Sequence, residues 1–373
     1  MSDYSLSVVY GLVNIGITAV VFLILPKLWR PELPFGVTVR FEGSEEARRR
    51  ALRYWRKSIL LLTAAAAVAV VALARRVRNM ENLRGLSLPY GVLAIYFFTR
   101  ARKILLPLAL PPEGGVKAAI RPRRYRDYLN PWWEVLPLAI WLLGISAILW
   151  TLYQNPVPVG KSANPVDYAP LLGWIFFAWV IFTQFGFYAF LLLFSILIPR
   201  AKQSIGRGDP KVCIAASDAF RKVWIRYFYV FRVFWVIDAI IFLGLTASFG
   251  RWRFPDLLWT LCISYVNVSF VGLVSAAVII ALRYGQGGWK WAVRQGLVDK
   301  DTAAAVLNGD GMEDRHWKFG MFFFNPADPS ILVETRVGIG WSFNFGNGWV
   351  LAFFVLFLAY MLLPVLLLPY FIE

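Results

Sequence analysis

Few residues of this chain are of the types that do chemistry, and their spacing excludes most reaction classes. His316 is the only histidine among 373 residues, and Cys213 and Cys262 are the only cysteines. A zinc site built from His and Cys, or a His-Glu-x-x-His helix, has no material here. The phosphate-cradling Gly-x4-Gly-Lys-Ser/Thr loop is absent as well. Two carboxylate groupings remain. Glu42, Glu45 and Glu46 stand beside Arg48, Arg49, Arg50, Arg53, Arg56 and Lys57, so they read as helix capping and ion pairing. Glu313 and Asp314 open an aromatic segment whose pattern accounts for them. The expectation is a protein that is not an enzyme and carries no cofactor and no metal.

Three polar side chains stand out for their position instead. Gln184, Asp238 and Asn267 fall near the middle of long apolar runs. Unpaired charged or amide groups at that depth cost several kcal/mol, so each needs a reason. In one reading the three meet in a bundle interior, with Asp238 hydrated or protonated, and form a transport site. In the other they are interhelical hydrogen-bonding groups, worth ~0.6 kcal/mol on average in membranes. Ser264, Asn267, Val271 and Ser275 share a narrow helical face, which suits close packing equally well. Arg232 lies close enough to the end of its run to snorkel, and six positions of helix put it on another face from Asp238.

The runs themselves set the fold class. Hydrophobic residues make up 59% of the chain and charged ones 16%, against about 45–50% and about 25% in soluble domains. About 20 apolar residues span a hydrocarbon core of ~30 Å. Eight segments approach that length: Leu6–Leu25, Ile59–Ala74, Leu86–Phe98, Val135–Leu152, Leu171–Ile198, Tyr227–Phe249, Leu257–Leu282 and Trp349–Phe371. The third is short and is stopped by Arg100, Arg102 and Lys103. With eight spans, 31 of the 39 Lys and Arg residues fall in the odd-numbered connections and seven in the even-numbered ones. The positive-inside rule then predicts both termini outside and the basic connections in the cytoplasm. Met1–Ser5 carries no positive charge while Lys27 and Arg30 follow the first run, which is the charge order of a retained anchor rather than a signal peptide. Tyr54, Trp55, Trp132, Trp133 and Trp349 mark headgroup level. The net charge of +17 flanks the apolar runs, so it predicts contact with anionic lipid of the cytoplasmic leaflet and no nucleic acid. Cys213 in a connection and Cys262 inside a span are poor partners for a disulfide.

The fold class expected is therefore an all-α integral membrane protein of about eight transmembrane helices. Residues 1–282 form a seven-span bundle, 283–348 a cytoplasmic connection and 349–373 the last helix. Two connections carry structure of their own. Ser44 before Glu45 and Glu46 predicts an N-cap and a basic helix feeding the second span. Pro107, Pro111, Pro112, Gly114 and Gly115 predict a loop in the stretch 104–130. In the last connection, Phe319–Phe324 is a β-prone run, Asn325–Pro329 a turn and Ile331–Val337 a returning strand, which together predict a β-hairpin-like module that packs on the bundle.

That module resembles the C-terminal module of an uncharacterised family of bacterial multi-pass membrane proteins. The resemblance rests on Asp314, Arg315, Trp317 and Lys318, then Phe322–Pro326, Asp328–Pro329, Val333–Arg336 and Gly338–Trp341, ending in Asn344 and Phe345. His316 stands where that family commonly has another aromatic. Pro34–Val39, the basic run after it and the order of spans are similar to SdpI-like membrane proteins. The exposed segment of those relatives is matched here by Tyr153–Pro170, which keeps Pro156, Pro158, Gly160 and Lys161 but lacks the histidine. The resemblance implies a bacterial cytoplasmic membrane protein with a binding, signalling or toxin-immunity role and a protein partner at its cytoplasmic face. The expected interaction module comprises Trp317, Lys318, Asn325, Pro326, Asp328, Pro329, Glu334, Arg336, Gly338, Gly340 and Trp341.

Overall fold

A computed structural model describes residues 3–28, 33–37, 39, 43–74, 87–109, 123–154, 170–202, 209–248, 256–299 and 314–367. Glu42, Glu313, most of the Tyr153–Pro170 segment and the middle of the 104–130 loop lie outside them. The chain is a helical membrane protein with two small strand pairs. Its long helices are α1 (Asp3–Leu28), α2 (Glu45–Ala74), α3 (Ser87–Leu105), α4 (Val135–Gln154), α5 (Pro170–Leu197), α6 (Pro210–Ser248) and α7 (Asp256–Tyr284). A short α8 (Trp289–Arg294) follows, and α9 (Gly348–Leu367) is the last. Within the described residues, each apolar run of the sequence lies in one long helix. Among the described residues, five helices (α2 and α4–α7) contain stretches long and apolar enough to cross a membrane, and α1 and α9 hold shorter apolar stretches.

Three helices outrun their apolar segments, and α3 continues through Arg100, Arg102 and Lys103, which do not stop it, to Leu105. The α2 helix begins at Glu45, directly after Ser44, so its basic first turns continue without a break into the apolar part. The α6 helix has 39 residues, about 58 Å at 1.5 Å per residue, and so projects well beyond a ~30 Å hydrocarbon core. Valines, leucines and phenylalanines along the helix exteriors stay exposed, among them Val268, Phe270 and Val271 on α7. That is the pattern of helices whose solvent is lipid.

The helices pack as two groups. In the first, α1 packs on α2 and α2 on α3. Its core is aromatic: Phe35, from the turn after α1, lies 5.4 Å from Phe98 and 6.1 Å from Trp55, ring to ring. The Trp55 indole N–H donates to the Phe22 carbonyl at 3.1 Å. In the second group, α6 is the hub for α4, α5 and α7. Gly144 on α4 allows Ile240 of α6 to approach so closely that a Cβ there has no room. The last helix, α9, lies along α5, with Phe353 stacked on Phe190 at 5.9 Å and the Tyr360 hydroxyl donating to the Phe182 carbonyl at 2.9 Å.

Cys213 and Cys262 are not joined in a disulfide.

Candidate functional site

The strand module is built differently from the single hairpin expected. The strands are β1 (Trp317–Lys318), β2 (Phe322–Phe323), β3 (Leu332–Glu334) and β4 (Trp341–Phe343). They form two antiparallel pairs, β1 with β2 and β3 with β4. The runs around the Asn325–Pro329 turn therefore do not pair with each other. A bridge between Phe323 and Asn344 joins the two hairpins, and one between Val333 and Lys202 adds the chain just after α5 as a further edge.

Asn344 holds the turn. It is fully buried, and its amide donates to the carbonyls of Asn325 and Asp328 at 2.9 and 2.8 Å. Its side-chain oxygen accepts from the backbone N–H groups of Asn325 and Gly346 at 2.9 and 3.1 Å. Both donors and the acceptor of one amide are thus used on backbone that has no ladder partner. Gly346 is required beside it, because a Cβ would sit 2.5 Å from the Asn325 carbonyl carbon.

The module touches both helix groups at one end of the bundle. On the first group it meets the Pro34–Val39 turn. Phe35 and Gly36 both have left-handed backbone, with φ of 54° and 69°, which turns their carbonyls toward α3. Arg102 of α3, 9% exposed, donates to those carbonyls at 3.3 and 2.7 Å. Arg336 of the module reaches the Gly36 carbonyl at 3.5 Å and lies over the Trp317 ring at 5.4 Å. The two sequence pieces that carry the resemblance, 34–39 and 314–345, are therefore in direct contact. A Cβ at Gly36 would lie 2.7 Å from the Gly320 carbonyl oxygen and 3.1 Å from Val337. Gly36→Ala combines that clash with a left-handed φ that alone costs about 1–2 kcal/mol. The expected result is a lower thermal midpoint and early release of the module; an unchanged midpoint would contradict the contact.

On the second group three polar contacts fix the module. Lys202 donates from its backbone to the Leu332 carbonyl at 2.9 Å and from its ammonium to Asp328 at 2.6 Å. Gln286, fully buried after α7, exchanges two hydrogen bonds with the backbone of Gly340, at 2.9 and 2.7 Å. Arg221 of α6, 1% exposed, donates to the carbonyls of Pro199 and Ala201 at 3.2 and 3.0 Å and faces Glu334 of β3 as a charge partner. Trp341 packs on Phe220 at 5.3 Å.

Burial pushes the Asp328 carboxyl up, but the Lys202 ammonium and the Ser330 hydroxyl and amide outweigh it and leave the group below the usual carboxylate range. A carboxyl depressed in the folded chain stabilises it fully above the unfolded pKa, about 3.9, and loses that contribution as pH falls through the folded value. The module should therefore become pepsin-sensitive below about pH 4, and Asp328→Asn should flatten that acid dependence. An identical acid transition in the variant would show that this pair is not its source.

Of the residues expected to form an interaction surface, Lys318, Pro326 and Pro329 are exposed. Trp317, Asp328, Glu334, Arg336 and Gly340 are buried, and Asn325, Gly338 and Trp341 are half-buried. Most of the module's polar side chains are thus spent on holding it together and to the bundle.

A buried polar cluster escaped the sequence reading. Arg232 does not snorkel: it is fully buried and paired with Glu134 at the start of α4. Its Nε also donates to Glu134 at 3.2 Å, and its Nη1 donates to the Ser195 hydroxyl at 2.7 Å and the Leu191 carbonyl at 3.3 Å. Glu134 accepts in addition from the hydroxyls of Tyr125 at 2.6 Å and Tyr188 at 2.9 Å. Burial, then the hydrogen bond to Glu134, push the Tyr125 hydroxyl far up from its ordinary value, so it stays a proton donor. Tyr128, bonded to Asp218 at 2.9 Å, is pushed up to about 12 by burial and that carboxylate. The one available signal was Glu134 at the mouth of an apolar run, directly after Trp132 and Trp133.

The three residues lie on neighbouring helices, Gln184 on α5, Asp238 on α6 and Asn267 on α7. Asp238 accepts from the Ser269 hydroxyl of α7, at 3.0 and 3.2 Å. Asn267 is exposed, since two helical positions separate it by about 200° from Ser269. The side-chain oxygen of Gln184 is buried with no hydrogen-bond partner among the described residues, and its backbone carbonyl accepts from the Trp235 indole at 3.1 Å.

Residues 326–351, from the Asn344-held turn through β4 to the first turn of α9, match a family of unknown function (DUF5808). No curated protein and no solved structure matches the chain.

Proposed function

We propose that the chain is a non-enzymatic binding or signalling protein of the bacterial cytoplasmic membrane, with a toxin-immunity-like role as the specific form implied by its SdpI-like resemblance. In this reading it crosses the membrane eight times, both ends lie outside, and the strand module sits in the cytoplasm. There it acts as a clasp that reports the relative position of the two helix groups to a protein partner. The observation that carries the reading is the double attachment of the module: its Arg336 reaches Gly36 of the first group, whose carbonyl Arg102 also holds, and its Gly340 and Asp328 are bound by Gln286 and Lys202 of the second. A change of spacing between the groups must strain one attachment or the other. Anionic lipid around the basic connections sets the depth of that end.

The alternative is a proton-linked or small-molecule transporter working through Asp238. Its support is the Asp238–Ser269 pair, with Gln184 and Asn267 on the adjoining helices α5 and α7. The test uses the full chain in proteoliposomes with an entrapped pH dye, alongside cells under envelope stress. The expected results are no proton uptake sensitive to Asp238→Asn, and a stress phenotype lost in Arg336→Gln and kept in Asp238→Asn. Proton flux abolished by Asp238→Asn would overturn the reading in favour of transport.

A further inference from the structure

We infer that the groove between α5, α9 and the strand module is a seat for one acyl chain of an anionic phospholipid, with Arg200 facing its phosphate. Phe190, Leu193, Phe194 and Leu197 line one wall, the i, i+3, i+4, i+7 stripe of the last two turns of α5. Trp349 and Phe353 of α9 form the other wall, and Ile331 and Phe343 of the module close the end. The groove encloses about 130 Å³, is lined only by apolar residues, and is open to the exterior where Leu193 and Trp349 are exposed. An apolar concavity on a lipid-facing flank takes the solvent around it, and that solvent is hydrocarbon.

Two features choose a phospholipid over a second copy of the chain or a peptide. Trp349, 81% exposed at the mouth, supplies the amphipathic ring that prefers headgroup level. Arg200 follows Leu197 by three residues, is exposed, and makes no ion pair among the described residues. Lys202, the next cation, is occupied by Asp328. An apolar slot whose last α5 residue, Leu197, is followed one short turn later by an exposed guanidinium matches a chain that ends in a phosphate and glycerol headgroup. Occupied, the slot bridges α5, α9 and the module, so the lipid supports the clasp itself.

The inference rests on the cytoplasmic placement of the module proposed above, and its test reads lipid rather than signalling. Full-length protein in mild detergent is titrated with dioleoyl phosphatidylglycerol or dioleoyl phosphatidylcholine and read by native mass spectrometry. One phosphatidylglycerol is expected to be retained preferentially. Leu193→Trp, at a position already 42% exposed, fills the groove and should weaken retention at least about tenfold. Arg200→Gln leaves the slot open and should lower the preference for phosphatidylglycerol about fivefold. Overturning results are wild-type protein that retains no lipid, retention undiminished in Leu193→Trp, equal retention of the two lipids, or a doubled mass showing a second copy instead. Impermeant labelling of Lys318→Cys in cells reads the orientation separately, so a failed lipid seat and a failed topology are told apart.

Discussion

Glu134→Ala is expected to destabilise the folded chain by about 3–5 kcal/mol, the cost of leaving a buried charge without its partner. Arg232 is fully buried on α6 and its charge is answered at the start of α4. Without Glu134 the guanidinium keeps only the Ser195 and Tyr125 hydroxyls and the Leu191 carbonyl, none of which carries charge. Arg232→Met alone should cost a similar amount, because Glu134 then stays buried with only hydroxyl donors. The double replacement Glu134→Leu with Arg232→Met should recover more than half of either loss, since two buried charges vanish together. Chemical unfolding in mild detergent measures all three. Single variants within about 0.5 kcal/mol of wild type, the range of neutral surface changes, would show that the pair lies in water.

Asn344→Ala is the second large effect, and its consequence is local. It removes four hydrogen bonds to backbone groups of Asn325, Asp328 and Gly346. A buried backbone group left unsatisfied costs about 1–3 kcal/mol, so a loss of about 3 kcal/mol or more is expected even after water reaches part of the turn. Asn344→Asp keeps the acceptor oxygens but presents a carboxylate to two carbonyl oxygens, and should fare no better. The module should then be cleaved by protease within residues 326–345 while the helices persist. Cleavage at the wild-type rate in both variants would remove Asn344 from the account.

The helices were legible in the sequence because length and apolarity are additive properties of a segment. Trp349–Phe371 and Val135–Leu152 need no knowledge of a partner to be read. Even the basic start of α2 was readable from Ser44, Glu45 and Glu46. Pairing is a different matter. The strands at Phe322–Phe323 and Leu332–Glu334 were recognised as β-prone, but their partners were not. Phe319 and Gly320, both with positive φ, reverse the chain at once and give Phe322 to Lys318 rather than to the far side of the Asn325–Pro329 turn. Arg232 failed for a related reason. Helix geometry excluded Asp238 as its partner, correctly, but Glu134 lies 98 positions away and nothing local points to it. Ser269, which meets Asp238, has no local signal either, because only the orientation of α7 decides which of its polar residues faces α6. Arg102, read as a charge that ends a span, turned out to clamp the Phe35–Gly36 turn, a role written only in the backbone conformation of another segment.

In the proposed topology the clasp and the chain ends occupy opposite sides of the membrane. Single cysteines at Lys318 and at Glu373, in a chain carrying Cys213→Ala and Cys262→Ala, can be probed with a membrane-impermeant maleimide on intact and permeabilised cells. The account expects labelling at 373 in intact cells and at 318 only after permeabilisation. Equal labelling of the two positions in intact cells would put module and terminus in one compartment and contradict it.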